Sequence, residues 1–490
     1  MAIAGISILL ESDEFDASAM QVFSVSGREA IGRLFSFDIE LVHPDTAGLD
    51  EAEIIGAAAS LVFEHRAETL AELPVIYRIH GMIAEIEDML DPQASHRTYR
   101  LRLVPRAHRL TLVEMQEVFL DQSIPDILET KLTRVGLVNE DVEFRLLAHY
   151  PAREFVVQYR ETDWAFVSRL AEHLGISIFF EHQSGRDVIV FSDQNSRFRP
   201  VEGDEAVSFR PRGEASEIYR LTSVSRMIPR TYLAQDYNYR HPRMDITGEH
   251  RLEAGYAGGV VEYGPHHLTP EEGATLAQYR AEERQATRQV LSGESAVSRF
   301  RAGATFDLEG HPRFESARLL LVEIEHHARQ TVETHGGEDD APTYRNVFRA
   351  IDVRVPYRPP RLTPKPRIAG VLSAQVEPLP DGELGDHARI DGAGRYTVRF
   401  FFDSSPLGAR ERSSLPVRMA QPHAGPNYGF HFPLKPGVEV LVAFTEGDPD
   451  RPFIIASVPN PITPSPVDRH NALFNKIETV SGVFLEIKDV

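Results

Sequence analysis

Short runs in which apolar and polar residues alternate dominate the first 360 residues. Ile6, Ile8 and Leu10 open the chain, and Ser60-Leu-Val-Phe-Glu, Tyr99-Arg-Leu-Arg-Leu-Val and Asp187-Val-Ile-Val-Phe follow, between Gly-, Pro-, Asp- and Asn-containing breaks. Period-two alternation buries one face and wets the other, as in antiparallel sheets and barrels, not a doubly wound parallel core. Three stretches switch to helical spacing. The first spans 124–135, with Pro125 in the opening turn, Ile127, Leu128, Leu132 and Val135 on one side and Gly136 as the stop. The second spans 163–174; its stripe of Trp164, Val167, Leu170, Ala171 and Leu174 predicts a core face that includes the only tryptophan, and Gly175 suits a left-handed cap. The third spans 270–291, where Thr269 can cap, Pro270 fits the first position and Glu272 completes a capping box. Arg280, Arg284 and Arg288 along it predict a solvated row.

The proline run Pro356-Tyr-Arg-Pro-Pro-Arg-Leu-Thr-Pro-Lys-Pro366 marks a stiff boundary. Five short β runs follow, at 368–376, 396–402, 415–421, 438–444 and 453–458, a density that fits a small Greek-key barrel of the OB type. A second proline-rich stretch, Pro459 to Pro466, closes that module. Residues 471–490 alternate again but are too few to bury a core alone. The fold class is therefore mainly β with a few helices.

Composition narrows the function. Asp and Glu total 73 against 52 Lys and Arg, a formal charge of −21, which disfavours nucleic-acid binding. The chain has no cysteine, so thiol catalysis, disulfides, iron–sulfur clusters and Cys-based zinc sites are excluded. The N-terminus lacks the charged region and long apolar core of a secretory signal and reads as a first strand. No G-x-S-x-G elbow or Walker loop occurs, and Gly392-Ala-Gly394 lacks the third glycine of a dinucleotide fingerprint. His266-His267 and His326-His327 are adjacent pairs whose side chains would diverge on a strand; solvated or locally hydrogen-bonded rings are expected, not metal ligands. His423 and His431 flank a barrel loop without an evident third ligand. Glu271-Glu272 and Asp339-Asp340 lack apolar flanks that would raise one pKa for acid–base work. Neither a catalytic residue nor a cofactor or metal site is expected.

Three stretches carry a family resemblance. Tyr150-Pro-Ala-Arg-Glu-Phe-Val-Val-Gln-Tyr-Arg-Glu-Thr-Asp-Trp-Ala-Phe-Val-Ser-Arg-Leu-Ala-Glu-His-Leu-Gly-Ile resembles the Y-P-x-R-E…Q-Y-x-E-S-D-x-x-F-x-x-R-L-x-E-x-x-G-I segment of the VgrG family, with Thr162 in place of Ser. These are trimeric spike proteins of type VI secretion, related to the contractile-phage baseplate hub. Gly303-Ala-Thr-Phe-Asp-Leu-Glu-Gly-His-Pro312 is similar to its G-x-x-F-x-L-x-x-H-P. In the barrel, Tyr396-Thr-Val-Arg-Phe-Phe-Phe-Asp403, Arg412-Ser-Ser, Val417-Arg-Met-Ala-Gln-Pro-His-Ala-Gly425, Pro436-Gly-Val-Glu-Val-Leu-Val442 and Glu446-Gly-Asp-Pro-Asp-Arg-Pro452 match in the family's order. One departure is Phe402 before Asp403, where relatives usually carry Trp.

The resemblance implies a hub of two barrel-like subdomains over 1–360, an OB-fold neck over 361–460 and, over 461–490, a linker and the start of a spike β-prism. It implies a non-enzymatic homotrimer that seats an Hcp-like hexameric tube on its base and a PAAR-repeat-like tip on its spike. Baseplate proteins, effectors and adaptors are further implied partners, and membranes would be met only by puncture. Such a protein assembles in the cytoplasm and is then secreted through the apparatus into medium or target cell. Asn475-Lys-Ile-Glu-Thr-Val-Ser-Gly-Val-Phe-Leu-Glu-Ile-Lys-Asp resembles the lead-in to the family's long β-helix, and an effector domain beyond it is not expected here. Ile477, Val480, Val483, Leu485 and Ile487 are its expected trimer contacts, and the aromatics Phe400 to Phe402 are expected to be core or trimer contacts. The alternatives are a phage or extracellular-particle hub and, from another class, a cell-wall or polysaccharide hydrolase.

Overall fold

The computed structural model describes residues 6–44, 48–65, 75–89, 96–211, 217–314, 316–332, 343–379, 387–406 and 410–489. They fall into two units: Met1–Leu112, Glu129–His149 and Val167–Thr363 form the first, and Val113–Leu128, Tyr150–Phe166 and Pro364–Val490 the second.

The first unit is organised by one largely antiparallel sheet. Its N-terminal strands are β1 (Ile6–Glu11), β2 (Gln21–Ala30), β3 (Ser36–His43), β4 (Ala58–His65), β5 (Val75–Asp88) and β6 (Arg97–Val104). They run in the order β1-β4-β5-β6-β3-β2, and the path continues through Ala317–Arg329, Thr343–Asp352, Gln289–Ser295 and Ile218–Ser225. Alternation works as expected: Ile8, Phe37, Ile39, Leu61, Phe63, Leu101 and Leu103 are buried. The wet face carries a ladder of ion pairs. Arg102 reaches Asp38 (2.9 Å) and Glu85 (2.5 Å), Arg100 reaches Glu40 (3.1 Å) and Glu87 (2.7 Å), and Arg28 and Arg349 share Glu323. Exposed pairs of this kind contribute only about 0–1 kcal/mol each, so the ladder sets register and solubility more than stability.

The helices are α1 (Glu51–Ile54), α2 (Ile124–Arg134), α3 (Asp163–His173) and α4 (Pro270–Ala286). Two expectations need correction at α4. The helix stops at Ala286, and Gln289–Ser295 is a strand; its Val290-Leu291 pair sits in an alternating run that the helical spacing absorbed. Arg280 is not in a solvated row: it is buried, 2.8 Å from Glu262 and donating to the His173 carbonyl at 2.9 Å. Arg284 is exposed, and Arg288 lies beyond the helix. Trp164 is also displaced from its expected place. It is half-buried, because in the first turn of α3 the ring reaches the margin of the stripe that Phe166, Val167, Leu170 and Ala171 bury.

Helix α4 lies on a three-stranded sheet of Gly248–Arg251, Thr231–Gln235 and Gly259–Tyr263. Gly248 makes that approach possible: a Cβ there would stand 2.0 Å from the Gly273 carbonyl carbon and 2.2 Å from the Ala274 nitrogen. Backbone cannot swing aside as a side chain can. Gly248→Ala is therefore expected to cost about 3 kcal/mol, the upper range for overpacking, read as a lower denaturation midpoint at unchanged slope.

Behind the ladder, the sheet's dry face holds polar groups. His326 is fully buried, with Nδ1 2.7 Å from the Tyr344 hydroxyl and Nε2 3.1 Å from Glu29; His267 is buried with Nε2 2.7 Å from the Ile246 carbonyl. Both are locally bonded rings, not solvated ones. His182 accepts the His80 amide at Nδ1 (3.0 Å), and burial, with Arg301 nearby, holds its pKa down to about 3. Its folded pKa lies below the unfolded value of about 6.5, so its contribution is whole above pH 6.5 and is lost as pH falls from there toward 3. The expected loss at pH 5 is about 2 kcal/mol. Thermal melts from pH 7 to 5 check this, and His182→Gln should flatten the decline.

The second unit contains the expected barrel. Val398–Phe400, Leu372–Val376, Glu439–Phe444, Pro452–Ser457 and Arg418–Met419 form its sheet in that order, each within one of the five expected runs, apart from Pro452, which begins one residue before its run. Tyr396, Val398, Phe400, Val440, Val442 and Ile454 fill the core. His431 is a barrel-loop ring, as expected: the Gln421 amide donates to Nδ1 (2.7 Å), leaving Nε2–H to donate to the Tyr396 hydroxyl (2.9 Å).

Candidate assembly site

The residues that carry the resemblance hold backbone in place. Thr162 caps α3 by accepting the Ala165 amide (3.2 Å), a task serine performs equally. Gln158 donates to the buried Asp163 at 2.8 Å. Asp450 accepts the Val157 amide at 2.7 Å while Lys365 lies 2.5 Å from Asp448 and 2.6 Å from Asp450, pinning strand Val156–Thr162 into the barrel unit. Asp403 is clamped by Arg410 at 2.5 Å. In the first unit, Phe306 and Leu308 of the second motif are core residues. These motif residues are accounted for by the fold.

What the fold leaves unsatisfied is the terminal hairpin. Asn460 starts the approach by donating to Glu439 (3.1 Å) and accepting the Ile462 and Thr463 amides. Strands Phe474–Glu478 and Phe484–Lys488 then pair antiparallel, with Ile477 opposite Leu485 and Asn475 opposite Ile487. Gly482 turns the chain at φ +82°, where its amide donates to the Thr479 carbonyl (2.9 Å) and Val483 donates to the Thr479 hydroxyl (3.1 Å). That left-handed glycine closes a short hairpin loop at no steric cost.

Alternation sorts the hairpin into two unlike faces. Ile477, Leu485 and Ile487 share one, with Val483 on the same side by parity; Val480 sits in the turn. The other face holds Lys476 paired with Glu478 (2.8 Å) and lying over Phe484 (5.3 Å), and Lys488 over Phe474 (5.6 Å). Two of the chain's five lysines are here. The charged face is self-satisfied, whereas the apolar face is bare: exposure runs from 44% at Ile477 to 69% at Val483. Among the described residues no third strand pairs with this hairpin, so both outer edges present unpaired N–H and C=O groups. A two-stranded ribbon of this length is marginal alone in water.

Phe400 is core, Phe402 packs at the margin of the core, and Phe401 is exposed. Sequence reasoning missed Tyr428, Phe430 and Phe432, exposed aromatics on the loop that it read only for His423 and His431. Their period-two spacing was the available signal.

Comparison with known proteins fits this geometry. Residues 28–332 match the model of the phage tail baseplate hub (GPD) family, and 397–458 match the type VI secretion system/phage-baseplate injector OB domain. The type VI secretion system spike protein VgrG4b of Pseudomonas aeruginosa is 31% identical over 466 residues, covering 92% of this chain and 56% of that protein. VgrG5 of the same organism is 32% identical over 456 residues, covering 89% and 55%. The chain thus spans little more than half the length of these relatives. The fold is shared with an Escherichia coli type VI secretion component described as similar to the T4 bacteriophage tail proteins gp27 and gp5. The TM-score is 0.66 at 24% identity, covering 92% of this chain and 99% of that one. With the hub match covering more than half of its residues and the OB match following in order, the chain belongs to the phage tail baseplate hub family.

Proposed function

We propose that the chain is the structural, non-enzymatic trimeric hub and spike base of a contractile injection apparatus of the type VI kind. Residues 1–360 act as the hub, 361–460 as the OB neck and 461–490 as the start of the spike. The observation that carries this reading is the terminal hairpin, whose apolar face and edges are uncovered in one copy and would be completed by two sister copies around a common axis. Three hairpins supply six strands, enough to close a prism with Ile477, Leu485 and Ile487 inside and the lysine–glutamate face outside. A closed prism has no free edge and is stiff, which suits a point driven by sheath contraction. On this reading the hub base seats a hexameric Hcp-like tube, a PAAR-like protein tips the spike, and effectors or their adaptors travel with it. Assembly is cytoplasmic and is followed by expulsion. The described chain has no helix long and apolar enough to cross a membrane, and puncture is mechanical.

The test is light scattering of the purified chain, alone and with tube and tip proteins. A mass near three times 55.0 kDa is expected; a 55.0 kDa species alone in every mixture rejects the reading. A phage-tail hub would use the same geometry, and the hub family's phage-tail description favours keeping it as the second reading. Tail-fibre and capsid genes beside the gene would select it.

A further inference from the structure

The first unit contains a cleft of about 660 Å³ between the sheet, the turn after β2, the end of α4 and the strap around Tyr357–Leu362. That volume lies within the ~300–1,000 Å³ range of ligand pockets. Its apolar lining includes Ile31, Leu34, Val322, Ile351 and Leu362. Its charged lining is five arginines, Arg28, Arg33, Arg284, Arg349 and Arg358, against Glu283 and Glu323, in a chain whose net charge is −21.

Both glutamates are already engaged. Glu323 accepts from Arg28 and Arg349, and Glu283 is 3.1 Å from Arg361. Arg358 is half-buried, held by Glu282 (2.7 Å) and by the Gly175 and Asp193 carbonyls, and lies 4.3 Å over the Tyr279 ring. Arg33 and Arg284 differ from the arginines of the neighbouring ion-pair ladder. Both are exposed, and among the described residues neither forms an ion pair or donates a side-chain hydrogen bond. These two charges come from separate elements, the turn after β2 and α4, and line the cleft beside its apolar residues, although Arg33 also faces Glu172 electrostatically. A single inorganic anion would leave the apolar floor unmatched. A ligand with several carboxylates spaced along an apolar body matches both, because guanidinium–carboxylate bonds are directional and often bidentate.

We infer that this cleft is a docking site for an acidic, apolar-residue-containing peptide segment of a partner protein. The cleft is built by one copy of the chain, so the inference does not depend on the trimer proposal. The probe is a fluorescent hexapeptide of alternating glutamate and leucine, titrated into the full chain at about 150 mM salt and read by anisotropy, with all-glutamate and alternating lysine–leucine hexapeptides beside it. Saturable binding below about 1 mM is expected, with the all-glutamate peptide at least about threefold weaker and the lysine peptide not binding. Arg33→Glu combined with Arg284→Glu should weaken binding at least about tenfold with circular dichroism unchanged. Arg349→Gln is the second variant should that pair fail to fold, with weaker binding again expected. No saturable binding by 1 mM, equal binding of the lysine peptide, equal binding of the all-glutamate peptide, or indifference to the arginine changes would each overturn the inference.

Discussion

Leu485→Asp, or Ile477→Asp directly opposite it, is expected to abolish threefold assembly while leaving both folded units intact. In one chain each side chain is more than 40% exposed, so an aspartate there costs the monomer little. In a closed prism, threefold symmetry would place three carboxylates together in an apolar interior. Desolvating each, with like charges alongside, costs at least several kcal/mol per copy. Assembly should weaken by well over about 100-fold, seen as a shift from trimer to monomer in sedimentation at unchanged circular dichroism. Glu486→Ala on the opposite face is the control, expected to leave assembly within about threefold of wild type. Equal damage from both substitutions would argue that the hairpin merely needs its fold and that its apolar face is not a contact.

The largest expected effect on stability is at Arg145. Its guanidinium meets Glu181 at 2.6 Å and Glu143 at 2.5 Å, with the side chain 7% exposed and Arg199 completing the cluster from outside. Arg145→Met removes the charge that both carboxylates face and leaves Glu181 half-sheltered without its main partner. A cost of about 3–5 kcal/mol is expected, read from denaturant midpoints. Arg145→Lys should recover only part of it, since a point charge cannot span two carboxylates as the planar fork does. Adding Glu143→Gln and Glu181→Gln to Arg145→Met should restore most of the loss, because it removes the uncompensated charge.

Much of the fold was legible because alternation is a local consequence of burying one face. Ile6, Ile8 and Leu10 read as a strand and are one, and the five barrel strands fall where the runs predict. What was not legible depended on tertiary context. The spacing that continued α4 to Leu291 is also compatible with a strand, and only pairing of Gln289–Ser295 with Thr343–Asp352 and Ile218–Ser225 decides between them. Arg280 read as solvated because sequence does not show that Glu262 waits on the sheet beneath. Trp164 obeyed the helical spacing, yet a residue in a first turn has only half of a helix's neighbours. The apolar tail residues were legible as a set. Their division was not: the register places Ile477, Leu485 and Ile487 on one face and Val480 in the turn. The paired carboxylates of Asp448 and Asp450 read only as a family motif until Lys365 was seen between them.

The central claim is that three copies of the terminal hairpin converge on one axis. Because the chain has no cysteine, Glu486→Cys carries a single spin label on the charged face, away from the apolar contacts. Pulsed electron–electron resonance on that sample should give one narrow interlabel distance with the modulation depth of three coupled spins. A signal with no intermolecular distance, or one with the depth of two spins, would contradict the account.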